Sequence, residues 1–162
     1  MKSLALAVLL GLIAAPAAFA QNAAQIAKVE AGASCAHCNL FQIDLGNKMV
    51  SDRDFAGSRM RQGDFNLSVF RRDNFRGADL RDINGYGALF TNANLSGANL
   101  TNATFVGAYL EGANLQGAIM TGANFSGAEM DKARGLTQRQ LDAACGDDTT
   151  KLPRGMRIPA CR

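Results

Sequence analysis

The sequence predicts an all-β solenoid, a chain that coils upon itself with a turn every five residues. The main indication is that every fifth residue from Leu40 to Met130 is apolar, with Gly85 as the exception. Five residues advance an α-helix by about 500°, so these positions form no stripe on a helix. On a straight strand an odd spacing would place them on alternate faces. The chain must therefore turn within each repeat, and four corners near a right angle close one coil of about twenty residues.

The apolar residues at every fifth position are called central residues here. A second observation is the alanine found two residues before most of them, as at Ala93, Ala98 and Ala103. Residues two apart on an extended piece share a face, so the alanine and the central residue both point inward. The alanine position must be small because the central side chain beside it is large. At the central Gly85 we expect the neighbouring Ile83 to fill the space. The first coils depart from the pattern, with inward slots occupied by Lys48, Arg53, Ser58, Gly63, Ser68 and Asp73. Arg53 and Asp73 are expected to stack on adjacent coils and to pair.

The stretches Ala93-Asn94-Leu95-Ser96-Gly97 and Ala98-Asn99-Leu100-Thr101-Asn102 resemble the A(D/N)LXX motif of pentapeptide repeat proteins. The resemblance covers 40–134 loosely and 77–130 closely. It implies a right-handed quadrilateral β-helix. At the usual strand spacing such a stack would be a rod roughly 23 Å long.

The flanking segments predict an exported protein with capped ends. Residues 1–20 have the charged start, apolar run and Ala-Phe-Ala cleavage site of a secretory signal peptide. This signal peptide predicts that the protein is exported, to the periplasm in a Gram-negative host and out of the cell otherwise. We expect an N-terminal cap over 21–38, the repeat β-helix over 39–134, and a C-terminal helix and tail over 135–162. A capping-box pattern at Thr137–Gln140 predicts a short helix over 137–144.

The four cysteines lie outside the repeats, as expected for an exported chain stabilised by disulfides. Disulfide-bonded Cα atoms lie within about 7 Å, and a rod separates the two cysteine pairs by much more. The connectivity compatible with an intact solenoid is therefore Cys35–Cys38 with Cys145–Cys161.

The segment Cys35-Ala36-His37-Cys38 is the one that suggests chemistry. It resembles the active site of periplasmic thiol oxidants, although the βαβ context of those sites is absent. A structural disulfide, a redox-active pair and a metal site are the alternatives, and the last offers at most three ligands. Because His37 is the sole histidine, no nucleophile–histidine arrangement can be built elsewhere. We therefore expect no enzyme activity, no cofactor and no metal.

The predicted surface carries two features. Seven arginines lie between 51 and 82, whereas Glu111 is the only charged residue between 83 and 128. Stacking at a spacing of about twenty residues places a candidate face for an anionic partner at Arg59, Arg61 and Arg81. The same stacking gives a candidate protein-interaction surface, called here the apolar strip, at Val69, Tyr86, Leu89, Val106 and Tyr109.

These observations predict a non-catalytic exported repeat protein that acts as a rigid scaffold or protein-interaction surface in the cell envelope. A protein partner or self-association, including a homodimer, is expected. The alternative is a thiol–disulfide redox protein using Cys35 and Cys38. A less favoured role, which the family resemblance implies, is DNA mimicry toward topoisomerases. It requires an acidic rod, whereas removal of the signal peptide leaves a net charge of about +2. We expect no nucleic-acid partner and no membrane span.

Overall fold

The computed structural model describes residues 21–162, so the signal-peptide prediction for 1–20 lies outside the described residues. Two helices are present there, α1 at Ala23–Glu30 and α2 at Gln138–Asp142. From Asn39 to Arg134 the chain forms isolated parallel β-bridges rather than continuous strands. The physical reason is the short repeat: a turn every five residues leaves one bridged residue between successive turns.

The bridges join residues twenty apart, from Asn39 with Arg59 to Asn114 with Arg134. A representative pair of backbone bonds runs in both directions along the stack. The Asn94 amide donates to the Asp73 carbonyl at 2.9 Å, and the Leu95 amide donates to the Asn114 carbonyl at 2.9 Å. Each coil is therefore hydrogen-bonded to the coil below and to the coil above. The twenty-residue stacking expected from the sequence extends through the irregular first coils as well.

The corners of the coils have a uniform backbone. Every fifth residue from His37 to Gly127 adopts a positive φ, between 52° and 69°. Glycine occupies many of these positions because it enters the left-handed region without a Cβ clash, as at Gly97. Asn and Asp tolerate the same region, as at Asn92. Leu67, with a φ of 52°, is the residue least suited to such a position.

The core is a column of central side chains enclosed by the stacked coils. The central apolar side chains are at most 2% exposed, and rings one coil apart stack, with Phe105 and Phe125 centroids at 5.1 Å. The expectation for Gly85 needs correction. A Cβ at Gly85 would lie 3.3 Å from Cδ1 of Phe105, so the ring from the next coil fills the space beside Gly85. Ile83 is buried nearby, as expected of an inward residue.

The polar inward residues of the first coils have specific partners. The Ser58 hydroxyl donates to the Cys35 carbonyl at 2.6 Å, and both Ser58 and Asp73 are fully buried. Two expectations were wrong in detail. Lys48 is exposed, and its Nζ donates to the Asp44 carbonyl at 3.1 Å because an ammonium is stabilised near water. Arg53 meets Asp73 through its backbone amide at 2.6 Å, while its guanidinium donates to the Val29 carbonyl.

Both ends of the stack are covered. Helix α1 is capped by the Asn22 side chain and packs Val29 against the first coil. Helix α2 begins at the capping box of Thr137 and Gln140 and buries Leu141 over the last coil. These contacts remove the apolar surface of the terminal coils from water, which an open solenoid end would otherwise expose.

Candidate interaction surface

The apolar strip follows one line of backbone bridges along the rod. Val69 bridges Leu89, and Leu89 bridges Tyr109, so these three residues lie on successive coils. Tyr109 is 44% exposed and Tyr86 is 53% exposed, while Val69, Leu89 and Val106 are half-buried. The structure therefore brings Val69, Leu89 and Tyr109 together on one wall. It places Tyr86 and Val106 on the adjoining wall, one coil apart, where the Val106 carbonyl accepts the amide of Gly87, the residue after Tyr86, at 2.9 Å.

Sequence reasoning missed two exposed apolar residues that extend this surface. Met49 is 80% exposed and bridges Val69. Leu67 is 53% exposed at the corner between the two walls, in the left-handed conformation described above. The twenty-residue spacing could have located Met49, which precedes Val69 by twenty, and Leu67 lies only two residues before Val69 in the sequence. Contiguous exposed apolar patches often mark interaction sites.

The arginines of the anionic-partner face are largely paired within the chain. Arg81 forms two bonds of 2.7 Å with the Asp79 carboxylate. The resulting interaction holds the pKa of Asp79 below its usual range. Arg61 lies 2.9 Å from Asp82, and the Arg59 guanidinium stands 4.6 Å from the centre of the Phe41 ring. These partners neutralise or occupy the groups that would recognise an anion.

The expected disulfides are present, joining Cys35 with Cys38 and Cys145 with Cys161. Cys35 and Cys38 are only 4% and 8% exposed. They follow the C-terminal end of α1, so they lack the helix N-terminus that is one of the settings in which a thiol is activated. The Ser58 hydroxyl binds the Cys35 carbonyl and accepts from the Cys38 amide at 3.2 Å. This arrangement fixes the segment against the first coil.

Asp73 carries a buried carboxyl group and lies on the coil that follows that of Arg53. Its Oδ1 accepts the Arg53 amide, while its Oδ2 has no hydrogen-bond partner in the described part of the chain. Burial raises the pKa of Asp73 to about 7. Because this group is fully enclosed, it has no route to a substrate in this structure.

A shallow polar groove of about 360 Å³ lies on another wall, lined by Arg76, Asn94, Ser96, Gly97 and Gln116. Among residues 21–162 no three His, Cys, Asp or Glu side chains are grouped as a metal site would require. That same stretch holds no helix long and apolar enough to cross a membrane.

Comparison with known proteins identifies the repeat. Residues 86–134 match a family described as pentapeptide repeats, in nine copies. The chain is a pentapeptide repeat protein. No curated protein matches this pentapeptide repeat protein in a sequence comparison.

Solved structures of other pentapeptide repeat proteins resemble the chain in fold. The protein Rfr23 from the cyanobacterium Cyanothece 51142 aligns with a TM-score of 0.64 at 22% identity, over 80% of this chain and 97% of its own. A trypsin-treated variant of QnrB1, described as a plasmid-mediated fluoroquinolone resistance protein, aligns with a TM-score of 0.60 at 23% identity. That alignment covers 77% of this chain but 64% of the QnrB1 chain. At these identities the likeness shows the β-helical fold alone.

Proposed function

We propose that this pentapeptide repeat protein is a non-catalytic, exported scaffold that presents the apolar strip to a protein partner in the cell envelope. The proposal includes a right-handed rod of quadrilateral cross-section. The observation that supports the interaction role is the line of apolar side chains at Met49, Val69, Leu89 and Tyr109. This line runs unbroken over four successive coils. Export is supported by the signal-like sequence of 1–20 and by the two disulfides.

The conformation of Leu67 supports a role beyond folding. An L-residue with a large side chain is disfavoured at positive φ, and the other corners mostly carry glycine, asparagine or aspartate. Leu67 nevertheless holds an exposed apolar side chain there, at the edge of the apolar strip. Residues in strained backbone conformations are found preferentially at active sites and ligand-binding sites.

The rod supplies the rigidity that a recognition surface requires. The positions of Leu89 and Tyr109 are fixed by backbone bonds of 2.8 Å and 2.9 Å to the coils below. A surface that is already ordered loses little conformational entropy when a partner binds. The apolar strip is therefore suited to binding without a prior folding step.

Site-specific photo-crosslinking tests the proposal. A photoreactive residue at position 109, in the native compartment, is expected to give a discrete protein adduct identified by mass spectrometry. Position 119 is the matched control, because Ile119 is 49% exposed but lies off the apolar strip. Substituting Leu89→Asp or Tyr109→Asp is expected to abolish the association, while Ile119→Asp leaves it intact. Equal behaviour of the three variants would contradict the proposal.

The thiol–disulfide alternative is disfavoured by the burial of Cys35 and Cys38. Complementation of a strain lacking its periplasmic thiol oxidant distinguishes the two. A scaffold gives no rescue, and restored oxidation would favour the redox role. DNA mimicry is disfavoured by charge, since 51–82 carries seven arginines against six aspartates. An anionic partner at Arg59, Arg61 and Arg81 is the weaker surface proposal, because those side chains already have partners.

A further inference from the structure

We propose that the partner of the apolar strip is a second copy of this chain, docked with the two rods antiparallel. This inference rests on the proposed function and names the occupant of the same surface. It is carried by the arrangement of charged residues beside Val69, Leu89 and Tyr109, which complements itself under a two-fold rotation.

Side chains two residues apart, one before and one after a central residue, share a wall of the rod. Arg81 contacts Asp79 in this way, with bonds of 2.7 Å, and the Asn66 amide contacts Asp64 at 2.8 Å. By the same repeat geometry Arg71 lies beside Val69, Thr91 beside Leu89, and Glu111 beside Tyr109. The wall therefore has an apolar row and a second row that is positive at one end and negative at the other.

A two-fold axis that lies in the interface, perpendicular to the rods and level with Leu89, reverses the order of the coils. It keeps each row on its own side of the wall. Leu89 then faces Leu89 of the second copy, and Val69 faces Tyr109. Arg71 faces Glu111 twice, once from each copy, which is the self-complementarity that a two-fold interface demands. In a parallel arrangement the two-fold axis would exchange the two sides of the wall. The row that contains Arg71 and Glu111 would then face the side near Leu67 of the second copy, and the Arg71–Glu111 pairs would not form.

The two charges remain accessible to a second copy. Arg71 is exposed. The Glu111 carboxylate contacts Lys132 at 2.7 Å but keeps a side-chain exposure of 57%. Glu129 and Asp131 also lie near this pair, and Lys151 contacts Glu129 at 2.7 Å, so three carboxylates against two ammonium groups leave one excess negative charge at this end of the wall. Opposite potentials at the two ends disfavour parallel docking and set the register of the antiparallel one.

The size of the wall sets the expected strength. Five stacked coils give a face about 24 Å long, so two copies bury an area at the low end of specific interfaces, roughly 1,000 Å² in total. We therefore expect a reversible dimer that dissociates on dilution. Sedimentation velocity of the purified chain without 1–20, over a wide concentration series, measures it directly.

Charge reversal tests the antiparallel register. Arg71→Glu and Glu111→Arg are each expected to weaken the dimer at least tenfold, because each places two like-charged pairs across the interface. The double variant Arg71→Glu/Glu111→Arg is expected to restore the dimerisation constant to within about threefold. Arg76→Glu is the matched control, since Arg76 is exposed one pentapeptide after Arg71 on a different wall. Thermal unfolding followed by circular dichroism verifies that each variant is folded.

A monomer at every concentration would overturn the inference, as would single reversals no stronger than Arg76→Glu or a double variant without restoration. These results are distinguishable from failure of the proposed function. A monomeric protein that still gives a heterologous adduct from position 109 retains the interaction surface and loses only the second copy as its occupant. A folded monomer with no adduct loses both.

Discussion

Asp73 occupies an inward slot that alanine fills in the following coils, at Ala93 and Ala113. It is fully buried, and only one of its carboxyl oxygens has a partner in the described residues. The Arg53 guanidinium, which the sequence predicts as the ion-pair partner, donates to the Val29 carbonyl in α1 instead. Desolvation therefore outweighs the bond from the Arg53 amide and the attraction of Arg53 and Arg72, while Asp52 adds repulsion, so the pKa rises to about 7.

Asp73 should give the protein a pH-dependent stability of unusual sign for a carboxyl group. Its pKa is about 7 in the folded chain against 3.8 in the reference state. The folded state thus holds the proton across that interval, and the free energy of unfolding contributed by Asp73 falls as pH rises from about 4 to about 7. Wild type should lose about 2–4 kcal/mol relative to Asp73→Asn over this range. Urea unfolding of both proteins at pH 4.5, 6 and 8 measures the difference. A difference that is constant with pH would contradict it.

At the scale of single elements, α2 depends on Gln140 for its attachment to the solenoid. The Gln140 amide nitrogen donates to the Leu115 and Ala118 carbonyls at 2.8 Å and 2.9 Å. Its oxygen accepts the Thr137 amide at 2.9 Å and completes the capping box. One side chain therefore caps both the helix and the last coil. The Leu115 carbonyl also accepts the Ala118 amide at 3.1 Å, whereas Gln140 is the donor to the Ala118 carbonyl among the described residues.

Removing this side chain should destabilise the C-terminal cap. Gln140→Ala is expected to lower the free energy of unfolding by about 1–3 kcal/mol, because it leaves the partly buried Ala118 carbonyl without a donor and removes the capping box. Arg139→Ala, an exposed neighbour on the same helix, should change it by no more than about 0.5 kcal/mol. Chemical denaturation of the two variants and wild type provides the comparison. Similar losses for both would mean that α2 is held by its apolar face at Leu141 alone.

At the scale of the whole molecule, the rod is a one-dimensional stack in which each coil contacts its neighbours. The Cys145–Cys161 bridge acts at one end, together with Asp147, whose pKa is lowered to about 2 by bonds from Thr149, Thr150 and Gly127. In such a stack a local loss of stability propagates through interfaces and weakens with distance.

Removing the terminal bridge should therefore loosen one end before the other. Cys145→Ser/Cys161→Ser is expected to cost roughly 3 kcal/mol and to reduce amide protection first in 120–134. Amides in 40–60 should keep their protection until global unfolding. Native-state hydrogen exchange read by mass spectrometry measures both regions. Uniform loss along the chain would show that the coils unfold as one unit.

The sequence alone determined the five-residue period, the twenty-residue stacking, the inward and outward slots and the disulfide pairing. These follow from local chemistry, because each repeat needs one large inward residue, one small one and a corner residue that accepts positive φ. Tertiary structure decided what local patterns cannot express: Phe105 filling the space at Gly85, the Arg53 guanidinium bonded to α1, Lys48 in solvent, and Met49 and Leu67 beside the apolar strip. Each depends on which side chain an adjacent coil or cap brings within reach, and that is fixed only when the stack has formed.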